Sequence, residues 1–177
     1  MRFPVAQFCL TAMFIIGLSP GVASAAVPGS KLTITFEGLA QGRVLRGIPN
    51  EYDGFNWGRD LSAAPKGAAK HDPGLLSVIR GKVAGVIPDG QASGIIVPVS
   101  GLFSLKSGYF AAFANSQLGT TFKAYRDGQI VGTMTADTTQ IAKLIHFDKT
   151  FAKIDKLEID GQVAFDNLKV TFEESPK

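Results

Sequence analysis

The chain has 177 residues, of which 45% are hydrophobic and 19% are charged, with 20 glycines and 9 prolines. This is the length of one domain, too apolar for a disordered chain and without the glycine period of collagen. A net charge of +3, one cysteine and two histidines argue against a dedicated nucleic-acid binder, a disulfide scaffold and a histidine-rich metal site.

The first 25 residues have the three parts of a secretory signal. Met1-Arg2 is a basic start, residues 8–18 form an apolar run too short to span a bilayer comfortably, and Ala23-Ser24-Ala25 supplies the small residues that signal peptidase needs. An uncleaved anchor is the alternative, which the Ala-x-Ala tail disfavours. Cleavage after Ala25 predicts a secreted or periplasmic protein with no membrane span after cleavage. Residues 26–177 then form a single domain, with a core from about 31 to 172.

The rest of the chain predicts about ten short strands separated by turn signals. Leu32, Ile34 and Phe36 alternate with polar residues, as in a half-buried strand. Further strands are predicted at 75–79, 82–87, 94–97, 101–105, 109–113, 141–147 and 168–172, with 138–144 as a turn entering a strand. Asp127-Gly128 and Asp160-Gly161 each indicate the tight turn of a hairpin. The pattern predicts an all-β antiparallel sandwich with long loops at 38–50 and 58–74.

Short motifs, in order along the chain, resemble a group of secreted bacterial and fungal proteins. In that group a first strand ending in Phe-Asp or Phe-Glu precedes Pro-Asn-x-Tyr-x-Gly-Phe-x-Trp, matched here by Phe36-Glu37 and residues 49–57. Residues 112–115, 124–128 and 165–168 match three further motifs. The group is similar to galactose-binding-like jelly rolls, the fold of many carbohydrate-binding modules. The resemblance implies a jelly-roll β-sandwich, a fold that hosts many functions.

Asp166 shares its parity with the apolar residues of the last strand, which predicts that it faces the core. A carboxylate there is costly unless it is paired, protonated or bound to a cation. The resemblance implies a structural calcium held by Glu37 and Asp166, with Asp53 as a third carboxylate and loop carbonyls completing the six to eight ligands that calcium prefers. Glu37 needs a bulge or a turn at Gly38 to reach Asp166. Without a metal, Asp166 would accept hydrogen bonds from the backbone of residues 54–57.

An aromatic segment predicts the ligand site. Sugar sites pair an aromatic platform with polar side chains, and Tyr52, Asn56, Trp57 and Arg59 supply this mixture. Further contacts are predicted from Tyr109, Asn115 and Arg126, provided that their strands line the same face. The alternative is that Phe55 and Trp57, which alternate along one strand, are both core residues.

Basic residues are frequent in the two long loops, namely Arg43, Arg46, Arg59, Lys66 and Lys70. They predict a basic rim for an acidic polysaccharide or lipopolysaccharide, with binding that weakens as salt rises. The alternative is that they are ordinary solvated charges.

The sequence contains no Gly-x-Ser-x-Gly elbow, no paired metal-ligand motif and no phosphate-binding glycine loop. A pair of carboxylates for glycoside cleavage converges only in space and cannot be read from the sequence. We therefore predict a secreted, non-catalytic binding module for an extracellular glycan or acidic polysaccharide. The alternatives are a structural or adhesive matrix protein working by protein–protein contacts, and a small polysaccharide hydrolase or lyase.

Overall fold

A computed structural model describes residues 27–88, 91, 93–114 and 119–174. The predicted signal segment and Asn115 lie outside these residues. The strands are β1 (Lys31–Ile34), β2 (Arg46–Gly47), β3 (Phe55–Trp57), β4 (Ser62–Pro65), β5 (Val83–Val86), β6 (Ser93–Pro98), β7 (Leu102–Ala112), β8 (Thr120–Arg126), β9 (Gln129–Ala136), β10 (Lys143–His146), β11 (Lys156–Asp160) and β12 (Val163–Glu173). Helical structure is limited, in the same ranges, to α1 (Pro73–Val78) and two 3₁₀ turns, Lys66–Ala68 and Lys149–Phe151. No helix in this part of the chain is long and apolar enough to cross a membrane.

The strands form two antiparallel sheets. The seven-stranded sheet has the order β10-β7-β12-β5-β4-β2, and β1 also pairs with β12. The five-stranded sheet has the order β3-β6-β11-β8-β9. Apolar side chains from both sheets form one buried cluster, so the predicted all-β antiparallel sandwich is confirmed.

Phenylalanine rings fill much of the space between the sheets. Phe110 of the seven-stranded sheet meets Phe122 of the five-stranded sheet edge to face, with ring centroids 4.9 Å apart. Phe103 and Phe55 repeat this arrangement at 5.0 Å. Such pairs stabilise a core beyond the area they bury. The interior is therefore occupied by packed rings, and ligand-binding groups have to come from the outer faces and the loops.

The first and last strands close the sandwich. β1 and β12 are antiparallel, with Lys31 opposite Thr171 and Ile34 opposite Leu168. Beyond the register, the Gly29 N–H donates to the Phe172 carbonyl at 2.7 Å. Two segments far apart in sequence thus become neighbours on one outer face.

The strand predicted at 75–79 is wrong, because this segment belongs to helix α1. Asp72 caps the helix by accepting the Leu75 N–H at 2.8 Å, and a proline stands in its first turn. Leu75 and Val78 are buried three residues apart, which suits a helix as well as a strand over so short a run. The helix packs a small apolar cluster against the outer face of the seven-stranded sheet.

The two predicted tight turns have different outcomes. Asp127 and Gly128, with φ of 52° and 74°, connect β8 to β9 as the predicted hairpin. Residues 160–161 instead connect β11 of the five-stranded sheet to β12 of the seven-stranded sheet, so the second hairpin prediction is wrong. An Asp-Gly pair favours a turn, but it does not decide whether the flanking strands pair with each other or join different sheets. That depends on how their apolar faces pack.

The remaining boundaries follow the prediction in part. The runs predicted at 101–105 and 109–113 are one strand, β7, and the predicted loops contain the short strands β2 and β4. Residues 138–144 lead into β10 as predicted.

Candidate functional site

Trp57, the predicted sugar platform, is a core residue. Only 3% of its surface is exposed, and its ring meets Phe36 edge to face at 5.2 Å. Its indole N–H donates to the Tyr52 carbonyl at 3.0 Å. The platform interpretation is therefore wrong for Trp57, and the core alternative holds, because Phe55 and Trp57 both point inward from β3.

The neighbours of Trp57 differ in environment. Tyr52 is half-buried and stacks on Phe36, with ring centroids 6.1 Å apart. Asn56 lies between two inward-facing residues of β3 and is half-buried, while Arg59 is exposed in the next turn. One short segment therefore supplies these residues, but its tryptophan is buried in the core.

The other predicted ligand residues lie elsewhere. Tyr109 of β7 carries the Arg80 guanidinium over its ring at 4.1 Å. Arg126 of β8 donates to the carbonyls of Lys153 at 2.5 Å and Ala152 at 2.7 Å. Tyr109 and Arg126 belong to different sheets, so the predicted residues that the structure describes do not gather at one site. Their part in ligand binding stays a prediction.

Glu37 is positioned by a turn, as the sequence required. Phe36 and Gly38, on either side of it, have φ of 58° and 86°. The Glu37 carboxylate accepts the backbone N–H groups of Lys82 at 2.7 Å and Val83 at 3.2 Å through one oxygen, Oε1. This carboxylate therefore fixes the start of β5 to the end of the first strand segment.

Asp166 is 1% exposed, but the prediction that it faces the core is wrong. Asn167 has φ of 51°, and the β12–β7 register shifts just after Asp166. The bulge reverses the alternation, so Asp166 lies opposite Tyr109 on the outer face. Its Oδ2 accepts the Arg80 N–H at 2.8 Å and its Oδ1 accepts the Asn167 N–H at 2.7 Å. Backbone donors do hold this carboxylate, although they differ from those expected in 54–57.

Two of the carboxylates predicted to hold calcium are engaged by backbone donors. Among the residues that the structure describes, no group of three or more histidine, cysteine, aspartate or glutamate side chains could hold a metal. Both oxygens of Asp166 and one of Glu37 already accept backbone N–H groups. Calcium prefers six to eight oxygen ligands, so an ion at these carboxylates would have to share or displace those N–H groups.

Burial raises the pKa of Asp166 to about 6, and the charge on Glu37 adds to this, while the N–H groups of Arg80 and Asn167 oppose it. Tyr52 shares the region: burial, followed by the charges of Asp53, Glu37 and Asp166, raises the pKa of its phenol to about 12. Burial likewise raises the pKa of Asp53. Asp53 and Asp166 therefore lie near Tyr52, in surroundings that disfavour the charged forms of both.

The outer face of the five-stranded sheet carries a polar network that is satisfied internally. Lys123 bonds to Glu158 at 3.1 Å and to Asp160 at 2.5 Å. The Tyr125 hydroxyl donates to Glu158 at 2.9 Å, and the Lys156 ammonium lies 3.5 Å from the centre of the Tyr125 ring. The charged groups of this network thus already have partners, and Lys156 covers one side of the Tyr125 ring.

A groove on the outer face of the seven-stranded sheet is different. It is lined by residues 31–33 of β1, residues 169–171 of β12 and Lys106 of β7, and it has a volume of about 430 Å³. Ligand pockets commonly measure roughly 300–1,000 Å³. We call it the β1–β12 groove. Sequence reasoning missed it, although the same Lys-x-Thr pattern stands in the first and last strands.

The groove is cationic and its charges are unpaired. Lys31, Lys106 and Lys169 are exposed, and none of their side-chain ammonium groups bonds to another residue in the described part of the chain. Lys31 faces Thr171 across the strand pair, and Thr33 faces Lys169. The lining therefore offers ammonium groups and hydroxyls to a ligand and contains no carboxylate.

Calcium dependence is tested by thermal unfolding. We expect the same melting temperature in excess calcium and in excess chelator, because the carboxylates are already bound by backbone donors. An ion that binds the native state must raise the melting temperature. A rise in calcium that the chelator reverses would contradict this and support the calcium implied by the resemblance.

Asp166 predicts a pH dependence of stability. The pKa of Asp166 is about 6 in the folded protein and about 3.9 in the unfolded chain. Protonated Asp166 therefore contributes to the free energy of unfolding in full below about pH 4, and this contribution is lost as pH rises through about 6. At 1.36 kcal/mol per unit the contribution is at most about 3 kcal/mol. Asp166→Asn cannot ionise, so the wild-type free energy of unfolding should fall relative to the variant between pH 4 and 7. Denaturant melts, with Asp60→Asn on the surface as control, measure this; a constant difference between wild type and Asp166→Asn would contradict it.

Comparisons with known proteins add little to this description. No protein-family model and no curated protein matches the chain. Among solved structures, the chain is similar to TmCBM61 in complex with β-1,4-galactotriose, with a TM-score of 0.39 and 10% identity over 67% of this chain and 88% of that chain. A likeness at this level carries no conclusion about function.

Proposed function

We propose that this protein is an exported, non-catalytic module that binds an extracellular carbohydrate in the β1–β12 groove. The observation that carries the proposal is a concave surface whose lysines have no partner within the described chain. Unpaired polar groups in a recess of this volume are what a ligand with many hydroxyl and ring oxygens can satisfy. The predicted signal segment supports an extracellular location for that ligand.

The lining also suits the two surfaces of a sugar. Thr33 and Thr171 each present a hydroxyl that both donates and accepts a hydrogen bond. The methylene stems of the lysines offer apolar surface beside their charged ends. A pyranose ring can therefore place C–H groups against the stems while its hydroxyls reach the threonines.

Binding is favoured over catalysis by the residue types in the groove. Glycoside hydrolysis ordinarily uses two carboxylates that flank the scissile bond. The lining consists of lysines, threonines, Leu32 and Val170. These groups can hold a sugar and offer no carboxylate pair to cleave it.

The double variant T33V/T171V tests the proposal without changing charge or shape. Loss of two hydroxyls, each worth about 0.5–1.5 kcal/mol, should weaken polysaccharide binding about tenfold. The measurement is affinity gel electrophoresis or calorimetry against soluble xylan, galactan, alginate and polygalacturonate.

The matched control is T133V/T135V, two threonines on β9 in the other sheet. The proposal is supported if the wild type binds one of the polysaccharides, the control keeps that affinity and T33V/T171V loses it. Failure of the wild-type protein to bind any of the panel, or equal losses in both variants, would refute it.

A further inference from the structure

The three lysines of the β1–β12 groove come one from each of three neighbouring strands. Lys31 lies on β1, Lys169 on β12 and Lys106 on β7, and β12 pairs with both of the others. Adjacent strands are about 4.8 Å apart, so β1 and β7 are separated by about 10 Å. Because Lys31 is paired with Thr171 and not with Lys169, the positive charges form an oblique row across the strands.

A local irregularity contributes to this row. Lys169 is opposite Ser107 and Val170 is opposite Leu105, so Lys106 falls at a shift in the register and has no partner of its own. Leu105 is buried while Lys106 is exposed, and a residue in this position of a bulge is directed away from the ladder. Lys106 therefore stands beside Lys169 on the outer face.

The acidic residue that follows the groove on β12 is engaged by another side chain. Glu173 of β12 accepts the Ser104 hydroxyl at 2.6 Å and is not part of the lining. Three like charges held close together repel one another unless a ligand supplies the opposite charge. The row is consequently complementary to a ligand with several negative charges in sequence.

Building on the proposed function, we infer that the groove takes a linear polyuronate laid across the strands, with successive carboxylates meeting successive lysines. A monomeric acid can satisfy one lysine, whereas a chain satisfies all three and meets the threonine hydroxyls beside them. Lysine, a point charge, accepts carboxylates without requiring the bidentate geometry of arginine. The ligand class is therefore an acidic polysaccharide whose negative groups recur at every residue or nearly so.

The experiment compares chain length and charge on the same backbone. The probes are galacturonic acid, tri- and hexagalacturonate, and methyl-esterified polygalacturonate, measured by calorimetry on the full chain. We expect the trimer to bind about tenfold or more tightly than the monomer, and esterification to remove most of the affinity. Raising salt from about 0.1 to about 1 M, which shortens the screening length from about 10 to about 3 Å, should also weaken binding.

Matched variants locate the effect. K31Q/K106Q/K169Q should lose about tenfold or more in affinity for hexagalacturonate, since each removed contact is an exposed charge pair. K82Q/K143Q/K156Q removes the same charge from lysines that lie outside both the groove and the predicted basic rim, and it should keep the affinity. Equal losses in both variants, or no loss in the first, would overturn the inference. Circular dichroism of each variant confirms that the substitutions leave the fold intact.

Other outcomes separate this inference from the proposed function. The wild type could bind neutral galactan with an affinity that T33V/T171V loses and K31Q/K106Q/K169Q keeps. That result would support the carbohydrate-binding module and overturn the inference of a polyuronate ligand. Tighter binding to heparin than to hexagalacturonate would assign the row to sulfate esters, and equal binding to duplex DNA would assign it to polyanions in general. Either result overturns the uronate assignment.

Discussion

The antiparallel pairing of β1 with β12 is the interaction on which the rest of the molecule depends. β12 is bonded along most of its length to β7, and on its other side first to β5 and then to β1. The strand thus joins the two ends of the domain to the centre of the larger sheet. Its inner face supplies the core, and its outer face supplies half of the groove. Loss of this pairing would both open the core and separate the two Lys-x-Thr segments, residues 31–33 and 169–171.

Phe36 and Asn167 have positive φ values and lie next to the paired parts of β1 and β12. A positive φ is uncommon for a bulky residue such as Phe36, and its ring is held by Tyr52, Trp57 and Phe165 on three sides. Packing of this kind offsets the local strain. The turn places Glu37 where it binds the start of β5, and the bulge at Asn167 places Asp166 where it binds the Arg80 backbone. Both carboxylates therefore act on one connection, between α1 and β5.

Much of the fold could be predicted from the sequence because strand alternation and the Asp127-Gly128 turn are local signals. Asp166 could not be placed on its correct face, since a single bulge at Asn167 reverses the parity of every residue before it. Trp57 could not be assigned because an aromatic residue in an alternating strand fits a core as well as a platform. The groove escaped prediction for another reason: its two halves are about 140 residues apart in the chain, and only the sheet order brings them together.

The geometry of the terminal strands also has a mechanical meaning. Gly29 and Phe172 are bonded to each other, so both ends of the domain leave from the same end of the β1–β12 ladder. Tension applied between the segments that flank the domain would break the β1–β12 hydrogen bonds one after another, beginning at Lys31 and Thr171. The polyuronate inferred above would lie across that line of opening. An occupied groove would then resist the separation of β1 from β12, which would couple ligand binding to mechanical stability.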